Sequence, residues 1–396
     1  MFKIKKINYY GLSIPFKKKV ETNWSKRAGT TVFVVEVISE NNMVGYGEII
    51  CVFDHNVISK SLERMIDQIE KTPFTEITKL YQRAVYDSGW MRTGRLNDLG
   101  AACWAGIETA IYHCYSKVLN IPFLDFFGGS LNNHFSLAVN LDTDKILNIK
   151  KDCSLYKKKG YKNLFIKVAK TNNSLNQDLN MLNKIKSFSK NSGMCIDANG
   201  AWTIQTSLKA IHEFKKLKLH LKCIEQPVME GKFLKRLKDQ SIYPIGINEI
   251  LNSGQSIIDC AKNDVGDIFV LDIFECGGLR NLLSMCKFLE MSGYQVMCRA
   301  HGSPSISYLT SLGIISCTNS ASITTPMQIY DFDDSSNYLK WKPTISKGNI
   351  EISDNDFNFE LDDSKFKKFL KVYRKGRKYH IYSNKKKDSV PFFPKY

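Results

Sequence analysis

The sequence predicts an α/β protein: a TIM-type (β/α)8 barrel, or its (β/α)7β variant, preceded by an α+β unit at the N-terminus. Three observations carry this prediction. Beyond position 132, eight short apolar runs alternate with amphipathic, lysine-rich stretches, as in parallel strands joined by helices. Eight such repeats are the number that closes a barrel. The first sixty residues instead show the alternation of antiparallel strands.

The N-terminal unit, residues 1–130, begins with three β-rich segments: FKIKKINYYGL, TTVFVVEVI and ENNMVGYGEII. Residues 58–115 then follow a mostly helical pattern, which is strongest in LNDLGAACWAGIETAIYHCYSKV. The pair Gly128 and Gly129 ends this region. A mixed α+β unit is therefore expected.

The barrel is expected over residues 131–349, with strands in FSLAVNL, NLFIKVA, MCIDANG, KCIEQP, PIGINE, DIFVLD, YQVMCRAH and SASITTP. A doubly wound open sheet would alternate in the same way, but it should carry a glycine-rich phosphate fingerprint after its first strand. The chain has only a Gly45-Tyr46-Gly47 pair without a third glycine, and no P-loop motif. The barrel is the better interpretation.

Residues 350–396 leave the repeat and read as a strand, a turn, a helix and a basic tail. The net charge of +17 comes from dispersed lysines, which are typical of a solvated surface. We therefore expect no nucleic-acid partner, although a non-catalytic basic binding protein on a barrel scaffold is the alternative of another class. No run is apolar enough for a membrane span or signal peptide, and eleven scattered cysteines without a CxxC pair indicate reduced thiols, so a cytoplasmic protein is expected.

Charged residues stand at or near the carboxyl ends of six successive predicted strands. They are Lys167, Asp197, Glu225, Glu249, Asp272 and His301, separated by one strand–helix unit each. Because the active sites of such barrels lie at this end, the six side chains should converge. Three consecutive carboxylates, Asp197, Glu225 and Glu249, would repel one another without a cation between them. All-oxygen ligation suits a hard divalent ion, so Mg²⁺ is expected, with Mn²⁺ as the alternative.

These motifs resemble the enolase superfamily, in particular its mandelate racemase and muconate lactonizing enzyme branch. The matching segments are GYGE, AACWAGIETAIYHC, IDANGAWT, IEQP, INE, LDIFECGG and the histidine of CRAH. The resemblance implies that the α+β unit, joined by returning C-terminal residues, caps the barrel mouth. It also implies removal of the proton α to a substrate carboxylate, with Lys167 as general base and an Asp272–His301 pair as second acid–base group.

The chain departs from that pattern in three places. Phe165 stands where many relatives have a second lysine, so either Lys167 acts beside an aromatic ring or His301 is the sole base. Asn248 and Glu249 are adjacent and point to opposite faces, so one of them is the third metal ligand, and we favour Glu249 for its charge. The segment SASITTPMQIYDFDD, at and after the eighth strand, contains no glutamate, and Asp331 is a weak substitute.

Further side chains are candidates for binding the substrate. Phe165 and Arg299 share faces with Lys167 and His301, and Arg299 either pairs with Asp272, reaches a substrate oxygen or forms a structural ion pair. Asn199 follows Asp197 by two positions and either faces the ligand or is a turn residue. Trp24 and Arg27 lie in the predicted loop 20–29, which in such relatives covers the site.

The function expected from this resemblance is a Mg²⁺-dependent dehydratase of an acid sugar, an aldonate or aldarate, acting through an enediolate to give a 2-keto-3-deoxy acid. Racemisation or epimerisation of a 2-hydroxy acid or related carboxylate by the same residues is the alternative. The expected partner is a small-molecule carboxylate, and the relatives imply a homo-oligomer, a dimer or an octamer.

Overall fold

The computed structural model describes residues 3–21, 26–50, 55–71, 76–87, 98–141, 146–170, 174–189, 193–299, 306–324, 337–341, 343–375 and 378–379. Its strands are β1 (Ile4–Glu21), β2 (Lys26–Ser39), β3 (Val44–Ile50), β4 (His134–Ser136), β5 (Ala138–Leu141), β6 (Asn163–Lys167), β7 (Gly193–Asp197), β8 (Leu221–Glu225), β9 (Ile245–Ile247), β10 (Ile268–Leu271), β11 (Gln295–Cys298), β12 (Ala321–Thr324), β13 (Ile345–Ser346), β14 (Asn349–Glu351), β15 (Leu370–Lys375) and β16 (Lys378–Tyr379).

Its α-helices are α1 (His55–Glu70), α2 (Ile77–Tyr81), α3 (Asp98–Leu119), α4 (Ile146–Lys158), α5 (Leu175–Ser189), α6 (Ile204–Lys216), α7 (Gly231–Gln240), α8 (Gly254–Lys262), α9 (Ile273–Cys276), α10 (Leu279–Met291), α11 (Ile306–Ser316) and α12 (Asp363–Phe369). Within the described ranges, no helix is both long and apolar enough to cross a membrane.

The N-terminal unit is an antiparallel sheet, in the order β16-β15-β1-β2-β3, packed against helix α3. The alternating segments form its strands as predicted. The predicted loop 20–29 was too long, because the β1–β2 ladder continues until Glu21 pairs with Lys26. Strand β15 pairs with β1, so the chain returns to this sheet after the barrel.

Helix α3 lies very close to strand β3. A Cβ atom at Gly47 would be 2.0 Å from the carbonyl oxygen of Gly106, and one at Gly45 would be 2.2 Å from the backbone of Ala110. Such close approach of the helix backbone is possible only where the strand residue lacks a Cβ atom. The glycines therefore join helix and sheet into one unit.

The barrel consists of eight parallel strands in the sequential order β5 to β12. The eight apolar runs of the sequence form these strands, and the (β/α)8-type fold with an N-terminal cap is confirmed. Seven of the strands are each followed by a helix, α4 to α11, with α9 and α10 both following β10. In the described part of the chain, β12 is followed by the hairpin β13–β14, which matches the (β/α)7β variant.

The barrel interior is filled by buried apolar side chains from its strands. Ala138, Phe165, Cys195, Cys223, Ile268, Val270 and Met297 form one buried cluster there. The adjacent strands pair Phe165 with Cys195, and two residues further on they pair Lys167 with Asp197 and Asp197 with Glu225. Residues two apart on a strand share a face, so this polar row lies one layer above the apolar interior.

Candidate active site

Lys167, Asp197 and Glu225 end three neighbouring strands at one level. The Lys167 ammonium contacts Asp197 Oδ2, and its side chain is 18% exposed while that of Asp197 is fully buried. Glu225 is 3% exposed. Because parallel strands in register direct paired side chains to the same face, the three polar groups meet where the barrel opens.

Asn199 joins this row to the next strand. Its backbone N–H donates to Asp197 Oδ1 at 2.8 Å, and its side-chain amide donates to Asp197 Oδ2 at 3.1 Å and to Glu249 Oε1 at 2.8 Å. Asn199 adopts a left-handed conformation, φ 46°, which asparagine tolerates better than most residues. Asn199 is therefore both a turn residue and a residue of the candidate site.

The structure separates the two candidates that follow strand β9. Asn248 donates its side-chain amide to the carbonyl of Val270 at 3.1 Å, and its backbone N–H donates to Gln226 Oε1 at 2.8 Å. Glu249 instead lies within reach of Asn199 and of the Asp197 charge. The geometry brings Glu249, and not Asn248, into the carboxylate cluster.

The cluster is under electrostatic stress. Burial, and then the neighbouring Asp197 carboxylate, raises the pKa of Glu225 well above its usual range. The same two causes, in that order, raise the pKa of Glu249. The cations Lys167 and Arg299 act in the opposite direction on both groups. A further positive charge would therefore stabilise the cluster in its ionised form.

Two buried oxygens of the cluster, Glu225 Oε2 and Glu249 Oε2, have no hydrogen-bond partner among the described residues. Buried carboxylate oxygens without partners are costly, and hard oxygen donors are what Mg²⁺ prefers. As placed, the described residues include no group of three or more His, Cys, Asp or Glu side chains that could hold a metal ion. The Lys167 ammonium contacts Asp197 instead. The donor chemistry of these oxygens fits a divalent ion, which Asp197, Glu225 and Glu249 would hold.

Phe165 lies beneath Lys167. Its ring belongs to the apolar interior cluster, and the Lys167 Nζ atom lies 5.2 Å from the ring centroid. A cation over an aromatic face at this distance is stabilised by the ring quadrupole. Phe165 therefore shares the face of Lys167, as the spacing predicted.

Asp272 is buried and caps the short helix α9. Its carboxylate accepts hydrogen bonds from the backbone N–H groups of Phe274 at 2.7 Å and Glu275 at 3.3 Å. The Glu275 side chain completes a capping box by accepting the Asp272 N–H at 3.2 Å. This reciprocal pair fixes the position of Asp272 at the end of β10.

Arg299, at the end of β11, forms an ion pair with Glu275, not with Asp272. The backbone N–H of Arg299 also donates to the carbonyl of Leu271 at 2.9 Å. Sequence reasoning missed Glu275, although the spacing Asp272-x-x-Glu275 is a recognisable capping-box signal. Through Glu275, Arg299 is tied to helix α9, which Asp272 caps. The Arg299 charge also lowers the pKa of Glu225 and Glu249.

Three predicted residues, His301, Trp24 and Asp331, lie outside the described residues. Arg27 is described only through its backbone, which pairs with Val20 in the β1–β2 ladder. The catalytic role of His301 and the covering role of Trp24 and Arg27 therefore stay predictions.

Comparison with known proteins gives one family. Residues 149–356, more than half of the chain, match the family described as enolase C-terminal domain-like. The chain is similar to an L-Ala-D/L-Glu epimerase from Clostridium acetobutylicum, with 24% identity over 76% of this chain and 84% of that protein. It is also similar to a cis-3-hydroxy-L-proline dehydratase from Roseibium aggregatum, with 22% identity over 76% of this chain and 78% of that protein.

Among solved structures, the fold is similar to that of muconate lactonizing enzyme from Pseudomonas fluorescens complexed with muconolactone. The TM-score is 0.80, at 16% identity, and the match covers 93% of this chain and 99% of that one. At this identity the likeness concerns the fold alone.

Proposed function

The chain belongs to the enolase superfamily, and from that membership and the site geometry we propose that it removes the proton α to a carboxylate and returns it with inversion, as an epimerase of dipeptide-like substrates. The observation that carries the proposal is the contact of Lys167 with Asp197 inside a buried cluster of three carboxylates. The similarity to the L-Ala-D/L-Glu epimerase supports the choice of reaction and substrate class.

The residues suit the first half of such a reaction. Lys167 is the one amine seen within the cluster in the described residues, and we assign the acceptance of the α-proton to its Nζ atom. Asn199 donates hydrogen bonds to Asp197 and Glu249 and so fixes their orientations. Phe165, in the buried apolar cluster, excludes water from the space below Lys167. When held by Asp197, Glu225 and Glu249, Mg²⁺ supplies positive charge next to the substrate carboxylate, where negative charge develops.

Inversion requires a second group on the other face of the substrate carbon. The ends of β10 and β11 carry Asp272 and the predicted base His301. Asp272 is buried and held by its capping box, which suits it to orient a neighbour rather than to carry the proton itself. We assign the return of the proton to His301.

Dehydration of an acid sugar or of a hydroxylated amino acid is the second candidate, because the same α-proton is removed and one of the relatives is a dehydratase. The two reactions diverge only in whether the substrate carries a β-leaving hydroxyl. In that case His301 would deliver its proton to the departing oxygen.

Incubation in D₂O with Mg²⁺ separates these proposals. L-Ala-L-Glu, cis-3-hydroxy-L-proline and a panel of aldonic and aldaric acids are the probes, followed by proton NMR and a 2-keto acid assay. We expect loss of one α-proton signal of the dipeptide and appearance of its diastereomer. A 2-keto product from a hydroxy acid, without exchange in the dipeptide, would establish the dehydratase instead.

Lys167→Met should reduce α-proton exchange by about 10²- to 10⁴-fold, the usual contribution of a general base. Lys209→Met, on an exposed face of α6, is the matched control and should leave the rate unchanged. If Lys167→Met retains full exchange activity with an intact fold, Lys167 is not the base.

A further inference from the structure

Two glutamates of the N-terminal unit are buried at its contact with the barrel. Glu48, on β3, is fully buried, and Glu108, on α3, is 1% exposed. Burying a carboxylate is costly, so each needs strong donors. In both cases donors at the N-terminus of a barrel helix contact the carboxylate.

Glu48 binds the N-terminus of α11. Its Oε1 accepts hydrogen bonds from the Ser307 hydroxyl at 2.7 Å and from the Ser307 backbone N–H at 3.4 Å. Its Oε2 accepts the hydroxyl of Tyr338, which lies in the chain after β12. A carboxylate at a helix N-terminus also interacts favourably with the helix dipole.

Glu108 binds the N-terminus of α10 in the same manner. Its Oε2 accepts the backbone N–H of Leu279 at 2.6 Å, and its Oε1 accepts Nε–H of Arg280 at 2.9 Å. Arg280 also donates to the hydroxyl of Thr78 on α2 at 2.9 Å. A Cβ atom at Gly278 would lie 2.2 Å from Glu108 Oε2, so the backbone is as close as it can be.

The helices held in this way are those that follow β10 and β11. Asp272 and the short helix α9 precede α10 directly, and Arg299 and the predicted base His301 lie between β11 and α11. Helix α9 is also linked to α11, because the backbone N–H of Ile273 donates to the Ser311 hydroxyl at 3.2 Å. Among the hydrogen bonds of the described residues, none joins Glu48 or Glu108 to Asp197, Glu225 or Glu249.

We propose that Glu48 and Glu108 are positioning residues. From the glycine-packed unit of β3 and α3 they fix the N-termini of α11 and α10, and through these the positions of Asp272 and Arg299 after β10 and β11. The N-terminal unit thus positions the acid–base residues after β10 and β11. Lys167 and the three carboxylates are positioned by their own barrel strands. The catalytic part of this inference rests on the proposed function.

The test uses Glu48→Gln and Glu108→Gln in the full chain, with hydrogen exchange measured by mass spectrometry. A glutamine has one acceptor oxygen and an NH₂ group where the glutamate has two acceptor oxygens, so at least one of the hydrogen bonds that the carboxylate accepts is lost. We expect exchange in peptides covering 272–284 and 306–316 to rise by about tenfold or more, with peptides 163–170 and 193–200 changed less than twofold. Glu40→Gln, at an exposed position of the same unit, is the control and should change neither set.

The milder variants Ser307→Ala and Arg280→Met serve where a glutamine variant does not fold. With L-Ala-L-Glu as probe, we expect kcat to fall tenfold or more while KM and the Mg²⁺ dissociation constant stay within threefold. Unchanged exchange at both strand ends in folded variants, or an equal rise in every peptide, would overturn the positioning role. Failure of the wild-type protein to act on the dipeptide would remove the proposed function but leave the exchange result readable.

Discussion

At the residue scale, the site is a balance of buried like charges. Glu225 and Glu249 are held near Asp197 by strand register and by Asn199, and their pKa values are raised by burial and by that carboxylate. Lys167 supplies the nearest compensating charge. A cation added to this cluster would stabilise the ionised carboxylates further.

Replacing the carboxylates one at a time tests the ligand assignment. Asp197→Asn, Glu225→Gln and Glu249→Gln should each weaken Mg²⁺ binding by about tenfold or more, because each removes one charged oxygen donor. Isothermal titration calorimetry provides the measurement. Asn248→Ala is the comparison, and it should leave the affinity within a few-fold of wild type. A large loss in Asn248→Ala with none in Glu249→Gln would reverse the assignment after β9.

His113 gives the N-terminal unit an acid-sensitive point. It is buried, its Nδ1 accepts the backbone N–H of Tyr46 at 2.8 Å, and burial, followed by the nearby Lys117 charge, lowers its pKa well below the usual range. The unfolded chain takes up this proton below about pH 6.5 and the folded chain does not, so stability should be lost as pH falls below that value.

His113→Asn keeps an acceptor for Tyr46 but removes the titration. Urea unfolding at pH 7.5, 6.5 and 5.5 should show the wild type losing up to about 1.4 kcal/mol per pH unit more than the variant below pH 6.5. Parallel pH dependences in the two proteins would mean that His113 is not responsible.

At the scale of elements, two closely packed parts of the fold hold charged residues in place. The single turn α9 is capped by Asp272, braced by Glu275 and connected through it to Arg299 on the next strand. Helix α3 and strand β3 are joined through glycines and carry the two buried glutamates. The second arrangement predicts which glycines cannot be replaced.

Gly47→Ala should destabilise the protein by at least about 1–3 kcal/mol, because its methyl group would overlap the Gly106 carbonyl oxygen, a backbone atom that cannot move aside. Gly231→Ala is the control, since its added Cβ would lie 4.0 Å from the nearest side chain, at the start of α7. We expect that variant to be neutral or slightly more stable in denaturant titrations. Equal effects of the two substitutions would contradict the close-packing account.

At the scale of the whole molecule, the C-terminal segment returns to the N-terminal sheet. Strand β15 pairs with β1, and α12 places Phe366 against Tyr10 at a ring-centroid distance of 5.2 Å. The C-terminal segment thus completes the sheet whose strand β3 carries Glu48 and packs against α3, which carries Glu108. The C-terminal part is expected to contribute to stability although it is remote from the carboxylate cluster.

Truncation after residue 369 should lower the thermal unfolding temperature by several degrees, because it removes β15 from the edge of β1. Truncation after residue 379 retains β15 and β16 and is the control, for which we expect less than one degree of change. Differential scanning calorimetry of the two proteins decides. If the shorter protein is as stable as the longer one, the returning strand is dispensable.

The sequence by itself determined the repeat of strands and helices, the α+β unit before it, and Lys167, Asp197 and Glu225 at one level, because strand period and βα spacing are local properties of the chain. Tertiary structure alone decided that Glu249 and not Asn248 meets Asp197, that Arg299 pairs with Glu275, and that Glu48 and Glu108 hold the ends of two barrel helices. These contacts join side chains from distant segments of the chain. Neither the periodicity nor the local spacing of the sequence specifies which of those side chains meet.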